Sequence, residues 1–322
     1  MKLNRDFVPP RNVLEARKRM MTAVRAFFDS RGFLEVETPI AVVSPGLEPH
    51  LIAFETIEQG PDHAKTTLYL HTSPEYAMKR MIGRGLGSIY QIARVFRNDE
   101  RSNTHAPEFT MLEWYRAPGK IADIAADTFA LIESIATAVE GPWRPKGRIH
   151  KSMSEAFKGA GLVDPLDHPE RDALRRALGN LGAHDDTWED LFFRAFFEHV
   201  EPTLSPDHIT LLDGYPASMA ALAEIDPADP RCALRFEAYV GNLELGNAFQ
   251  ELRDAEEQRR RFEGDLAERA ARGRPQYPID EGLLADLEQM PVTSGIALGL
   301  DRLLMCCLGL PCIQDVIPFS PR

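Results

Sequence analysis

The sequence predicts an α+β fold, an antiparallel sheet flanked by helices. Two observations carry the prediction. Long strand-like runs lie close together in the chain: residues 89–96 (IYQIARVF), 108–115 (EFTMLEWY) and 233–249 (ALRFEAYVGNLELGNAF). Segments of helical periodicity flank these runs, a mixture that packs as helices against an antiparallel sheet.

Taken in order, residues 12–29 place apolar side chains at helical spacing, and Arg31-Gly32 stops the helix. Residues 33–37 alternate like a strand before Pro39, and residues 68–71 (LYLH) read as a short strand. The helix EYAMKRMIG follows, with Ser73 placed to cap it and Pro74 in its first turn. After the strand pair 89–96 and 108–115, helical segments are expected at roughly 121–140, 152–160, 170–181 and 188–200, a helical insertion of about residues 120–205. Strands resume at 208–213 and 233–249. A charged helix is expected over 254–272 and a shorter one over 280–289, then a strand at 294–299 and a helix at 300–308. No internal repeat or low-complexity segment interrupts the pattern.

The 322 residues suffice for one large domain or two small ones. No apolar run approaches the ~20 residues that span a bilayer, and the N-terminus has no stretch of signal-peptide type. The expectation is a cytoplasmic protein with no membrane partner. Four cysteines without metal-ligand spacing read as free thiols. The net charge of −12 disfavours a large phosphate-binding surface.

Arg97 follows an apolar strand-like run, and Arg302 opens an apolar helix. Two such arginines far apart in the chain can grip a polyphosphate from both ends, because the planar guanidinium matches phosphate oxygens and stays charged. Glu237, Glu244 and Glu251 recur every seven residues. That spacing alternates faces on one strand, but a turn at Val240-Gly241-Asn242 would let Glu237 and Glu244 approach on paired strands. Two carboxylates so placed call for a cation such as magnesium bridging phosphates; exposed strand-face glutamates are the alternative.

Three segments together resemble the class II aminoacyl-tRNA synthetases. Residues 31–39 (RGFLEVETP) are similar to motif 1, residues 94–116 (RVFRNDERSNTHAPEFTMLEWYR) to motif 2, and residues 295–302 (GIALGLDR) to motif 3. Within the class the chain is most similar to lysyl-tRNA synthetases, and more so to their short paralogues, the elongation factor P–(R)-β-lysine ligases. The catalytic-type sequence begins almost at once, so no N-terminal anticodon-binding barrel is expected and no tRNA partner.

The resemblance implies a homodimer through the motif-1-like segment. It also implies an ATP- and Mg²⁺-dependent ligase that activates (R)-β-lysine or lysine and passes it to elongation factor P. Arg97 would touch the α-phosphate and the amino-acid carboxylate, and Arg302 the γ-phosphate. Asn98, Asp99, Phe109, Glu244, Leu245 and Gly299 would complete the ATP side, with Phe109 stacking on adenine and Glu237 and Glu244 as metal acids. Glu251 and Tyr115 would hold the side-chain ammonium, and Phe249 its methylene stem. Ser73, Pro74, Glu75 and Asn247 would lie on the amino and carboxylate side. Three departures stand out. Asp99 replaces a glutamate, Ala106 replaces an asparagine, and Ala297 replaces the glycine of lysyl-tRNA synthetases, as it does in the β-lysine ligases. A tRNA-charging enzyme and an inactive amino-acid sensor remain alternatives.

Overall fold

Apolar residues that run unbroken through a strand must be covered on both faces, and that requirement organises the molecule. The computed structural model describes residues 7–320. The chain runs α1 (Arg11–Asp29), β1 (Leu34–Glu35), β2 (Ala41–Val42), β3 (Phe54–Gln59), β4 (Lys65–Leu70), α2 (Glu75–Gly83), β5 (Ile89–Phe96) and β6 (Glu108–Arg116). Next come α3 (Ile121–Val139), β7 (Gly147–Ser152), α4 (Met153–Gly159), α5 (Arg171–Ala177), α6 (Trp188–Ala195) and β8 (His208–Asp213). The last elements are β9 (Arg235–Val240), β10 (Leu243–Gln250), α7 (Ala255–Ala271), α8 (Glu281–Leu287), β11 (Ser294–Gly299) and α9 (Leu300–Leu308).

Eight strands form one sheet in the order β1-β5-β6-β11-β10-β9-β8-β7. Its interior pairs are antiparallel, while the edge pairs β1–β5 and β7–β8 are parallel. The fold is α+β. Helices α1, α3 and α9 cover one face, where Met20, Phe28, Trp114, Ile132, Leu298 and Leu304 share one core. On the other face α2 and α8 enclose a second core of Met78, Leu283, Leu287 and Phe262 from α7. A third core joins Phe157 of α4 to Phe192 of α6. No helix among the described residues is long and apolar enough to cross a membrane.

Two regions differ from expectation. β3 and β4 form a hairpin within a separate three-stranded sheet, where only residues 68–71 were expected as strand. The residues of β3 are largely exposed, so they lack the apolar alternation that marks a half-buried strand. The stretch expected to be helical also contains β7, paired in parallel with β8. The β9–β10 hairpin turns at Gly241-Asn242, with Gly241 at φ +57°, a left-handed value that favours glycine.

Candidate active site

The strand register sets the site. Because paired residues project to the same face, one row across the sheet carries Gln91, Glu113, Ala297, Asn247 and Glu237. The next row carries Tyr115, Gly295, Phe249 and Arg235. A glycine is required in that row: a Cβ on Gly295 would lie 2.3 Å from the Tyr115 ring. A bulge between Glu244 and Gly246 shifts the register, so Glu237 faces Asn247 and Glu244 faces Tyr239. Over these rows lies a cavity of about 660 Å³.

Arginines mark one end. Arg97 lies just beyond β5, its Nε reaching the Thr72 carbonyl at 3.4 Å and its guanidinium 5.3 Å above the Phe109 ring. Its Nη1 lies 3.6 Å from Glu100. Arg302, in the first turn of α9, donates to the carbonyls of Thr104 (3.0 Å) and Glu244 (2.8 Å) and to His105 Nε2 (2.6 Å). Burial and the neighbouring Arg302 lower the His105 pKa, so its Nε2 is free to accept and its Nδ1–H donates to Ser102 Oγ at 2.8 Å. Asp301, fully buried beside Arg302, accepts the Thr110 backbone N–H at 2.6 Å and pairs with Arg17 of α1. This carboxylate ties the start of α9 to β6 and α1.

Carboxylates mark the other end. Glu113 accepts from Tyr115 Oη at 2.5 Å and from Ser73 Oγ at 2.8 Å, while Ser73 Oγ accepts the Glu75 N–H at 3.0 Å. Lys79 Nζ lies 2.5 Å from Glu75 Oε1 and 2.5 Å from Glu251 Oε2. Burial, and then the nearby Glu75, push Glu113 up to about 8. Burial likewise pushes Glu251 up to about 8 against the pull of Lys79. Burial alone would lower Lys79, but the Glu251 and Glu75 carboxylates outweigh it and keep the ammonium charged.

The two candidate metal acids differ in their freedom. Glu237 is taken up by Arg235 (2.5 Å) and the Tyr239 hydroxyl (2.5 Å). Glu244 is held above the usual carboxylate range by burial and by Glu237, and its carboxylate lies 3.7 Å from Arg302. Among the described residues no group of three or more His, Cys, Asp or Glu is placed to hold a metal alone.

Of the residues singled out from sequence, Ser73, Glu75, Arg97, Phe109, Glu244, Leu245, Asn247, Phe249, Ala297, Gly299 and Arg302 line this cavity. Tyr115, Glu237 and Glu251 are buried beneath its wall, and Pro74 caps α2. A Cβ at Gly299 would meet its neighbours at 3.8 Å, an ordinary contact, so no packing inside the molecule demands glycine there. Asn98 and Asp99 line a second, separate cavity. Asp99 adopts φ +85° and accepts from Arg274 at 3.2 Å, and Glu100 borders both cavities.

Sequence reasoning passed over Glu113, Lys79, Glu100 and Arg235. A carboxylate inside the unbroken apolar run of β6 was the available signal for Glu113. Lys79 gave none, since Glu75 and Lys79 at i,i+4 read as an ordinary surface pair. The cavity is also lined by the acids Glu189, Asp265 and Glu268 and by Arg261. Burial and then Glu48 push Asp265 up to about 7.

Comparison with known proteins agrees with this geometry. The chain is 42% identical over 318 residues to the elongation factor P–(R)-β-lysine ligase of Klebsiella pneumoniae, covering 97% of this chain and 95% of that protein. It is 42% identical over 311 residues to the proteins of the same name from Enterobacter sp. (strain 638) and Salmonella arizonae, covering 94% of this chain and 93% of each. Residues 9–322 match the family described as tRNA synthetases class II (D, K and N). With a sheet that sets two arginines and a nest of carboxylates around one cavity, and with that match along almost its whole length, the chain belongs to the class II tRNA synthetase family.

Proposed function

We propose that this chain is an ATP-dependent, AMP-forming ligase. It activates (R)-β-lysine, or lysine, as an aminoacyl-adenylate and transfers the acyl group to a lysine ε-amine on elongation factor P. The carrying observation is that one cavity lined by Arg97, Arg302 and Glu75 lies over the buried carboxyl groups of Glu113 and Glu251, matching a ligand with an anionic head and cationic amines.

In the first step a carboxylate oxygen attacks the α-phosphorus and pyrophosphate leaves. Arg97 brings the two anions together, and Arg302 holds the far end of the polyphosphate. No protein nucleophile is needed, so positioning and charge stabilisation supply the rate. Phe109, beneath Arg97, offers the face on which adenine stacks. In the second step the neutral acceptor amine attacks the carbonyl carbon, AMP leaves, and the new amide nitrogen loses a proton.

A magnesium ion shared with ATP fits this chain better than one caged by protein alone. The carboxylate of Glu244, held only at 3.7 Å from Arg302, sits under the repulsion of Glu237, and magnesium takes one or two carboxylates plus substrate phosphates. Such an ion would neutralise phosphate charge at Glu244, with Glu237 behind it.

The acids lining the cavity support an amine acceptor over tRNA, because Glu189, Asp265 and Glu268, which outnumber Arg261 among them, attract a lysine ammonium and repel a polyanion. The chain charge of −12 works in the same direction. A homodimer through residues 31–39 is supported by the exposed apolar side chain of Leu34 (54%) within that segment and those of Ile40 (44%) and Val43 (57%) just after it; light scattering that gives a monomer mass at micromolar concentration would remove this element.

Intact-mass analysis of elongation factor P after incubation with the chain, ATP and each lysine isomer tests the whole reading. One added lysyl group is expected. No adduct with either isomer, or robust aminoacylation of tRNA, would overturn it.

A further inference from the structure

Lys79 takes no part in the chemistry just described, yet it sits at the centre of the acidic end. Its side chain is 2% exposed. It projects from α2 one helical turn beyond Glu75 and reaches Glu251, which follows β10 and is buried beneath the cavity wall. Its ammonium is 2.5 Å from one oxygen of each carboxylate, so those two oxygens lie within twice 2.5 Å of each other. Each carboxylate keeps a second oxygen. That of Glu251 lies 3.0 Å from where a Cβ on Gly295 would stand, beside the Tyr115 ring. Glu75 borders the open cavity. The other titratable groups around Lys79 are the carboxyl groups of Glu113 and Glu48, both pushed by burial towards their protonated forms.

A single ammonium bound to two carboxylates fixes both. Without it, Glu75 and Glu251 would repel, and one would move away or take up a proton. We infer that Lys79 is a positioning residue that sets the spacing between two ammonium sites, one at Glu75 and one at Glu251. The pocket thereby selects diamino acids by the separation of their amines. This inference rests on the function proposed above and deepens it.

The test uses the full chain and amino-acid-dependent ATP–pyrophosphate exchange with lysine and (R)-β-lysine, whose amines differ in separation by one carbon. The variant Lys79→Met keeps length and apolar bulk and removes the charge. For a pocket contact of this size, the KM of both isomers should rise about tenfold or more, and the wild-type preference in kcat/KM should shrink towards parity. The KM for ATP and the saturated kcat should stay near wild type. A folded variant that keeps the wild-type isomer ratio would overturn the inference, as would a wild-type chain that uses both isomers equally.

If Lys79→Met does not fold, inhibition of the wild-type chain by a series of α,ω-diaminoalkanes replaces it. A sharp optimum in chain length supports the inference, and a flat series overturns it. A wild-type chain that activates no diamino acid, yet shows the sharp diamine optimum, would overturn the proposed function and leave the spacing device standing as an amine-binding site.

Discussion

At the arginine end of the cavity, the hydrogen bonds of the charged groups go to neutral backbone carbonyls and to one neutral histidine, with the carboxylates of Glu100 and Glu244 farther off at 3.6 and 3.7 Å. At the glutamate end, Lys79 rests on Glu75 and Glu251, and Glu113 on the Tyr115 hydroxyl, with only Glu75 bordering the open cavity. The carbonyls under Arg302 are acceptors that phosphate oxygens can replace with stronger, charge-assisted bonds. The carboxylates around Lys79 were desolvated during folding, so a ligand amine meets acceptors already stripped of water, at a standing cost to the apo protein. A change at the first end should therefore damage turnover and spare the fold. A change at the second should touch affinity and stability together.

The largest expected effect tests the first half of that contrast. Arg302→Ala should lower ATP–pyrophosphate exchange by about 10²- to 10³-fold, the range for loss of one preorganised charge donor. Its thermal melt should stay near wild type. Exchange at near wild-type rate would end the assignment, and a collapsed melt would erase the contrast between the two ends.

Glu251→Gln tests the other half. It removes the proposed acid partner of the ligand ammonium and leaves Lys79 with Glu75 alone. Losing one partner of a buried charged pair costs about 2–5 kcal/mol, so the amino-acid KM should rise tenfold or more at ~1.4 kcal/mol per decade. The melting temperature should fall as well. A variant with unchanged lysine kinetics and a lower melting point would make Glu251 a structural residue.

A third, smaller effect is read by pH. Glu113 is pushed up to about 8 in the folded chain, from an ordinary value of 4.5. Its folded form holds a proton that the unfolded form releases, so the contribution of Glu113 to apo stability is greatest below about 4.5 and declines as pH rises towards about 8. A ligand ammonium needs the ionised carboxylate, so amino-acid affinity should climb between pH 6 and 8, by at most about tenfold per unit for one proton released. Melts with and without lysine across this range measure both trends. A flat affinity profile would show that the glutamate end does not carry this proton.

The smallest effect belongs to Ala297, which stands in the same row as Glu113 and Asn247 and lines the cavity. Ala297→Gly should raise use of α-lysine relative to (R)-β-lysine, within the roughly 1–3 kcal/mol that one methyl commands in a pocket. An unmoved preference in kcat/KM would make the methyl neutral.

The two ends were also unequally legible in sequence. Strands β5 and β11 and helix α9 match their expected bounds because continuous apolar runs and the following helix leave little freedom. Arg97 and Arg302 could be placed because each is anchored to such an element. The glutamate end depends on which residues face each other across strands, and register is not written locally. Glu237 and Glu244 were expected to approach on paired strands, and they lie close enough for Glu237 to raise the Glu244 pKa, but the bulge after Glu244 sets Asn247 directly against Glu237. Burial of Lys79 depends on α2 packing beneath Glu251, a contact across more than 170 residues of chain. Asn98 and Asp99 were assigned from motif position, whereas the loop backbone turns Glu100 to the cavity.

The order of strands in the sheet has a consequence for synthesis. β11 is the last strand to be made, yet it lies between β6 and β10 and joins two otherwise separate half-sheets. The Arg17–Asp301 pair likewise spans 284 positions. A ribosome that has not yet passed residue 299 therefore carries halves with no common floor, and no nucleotide end to the cavity. Stalled nascent chains ending before Ser294 should neither bind ATP nor resist protease across β6 and β10, while release of the full chain should confer both at once. ATP turnover by such a truncated chain would show that the half-sheets meet without their central strand.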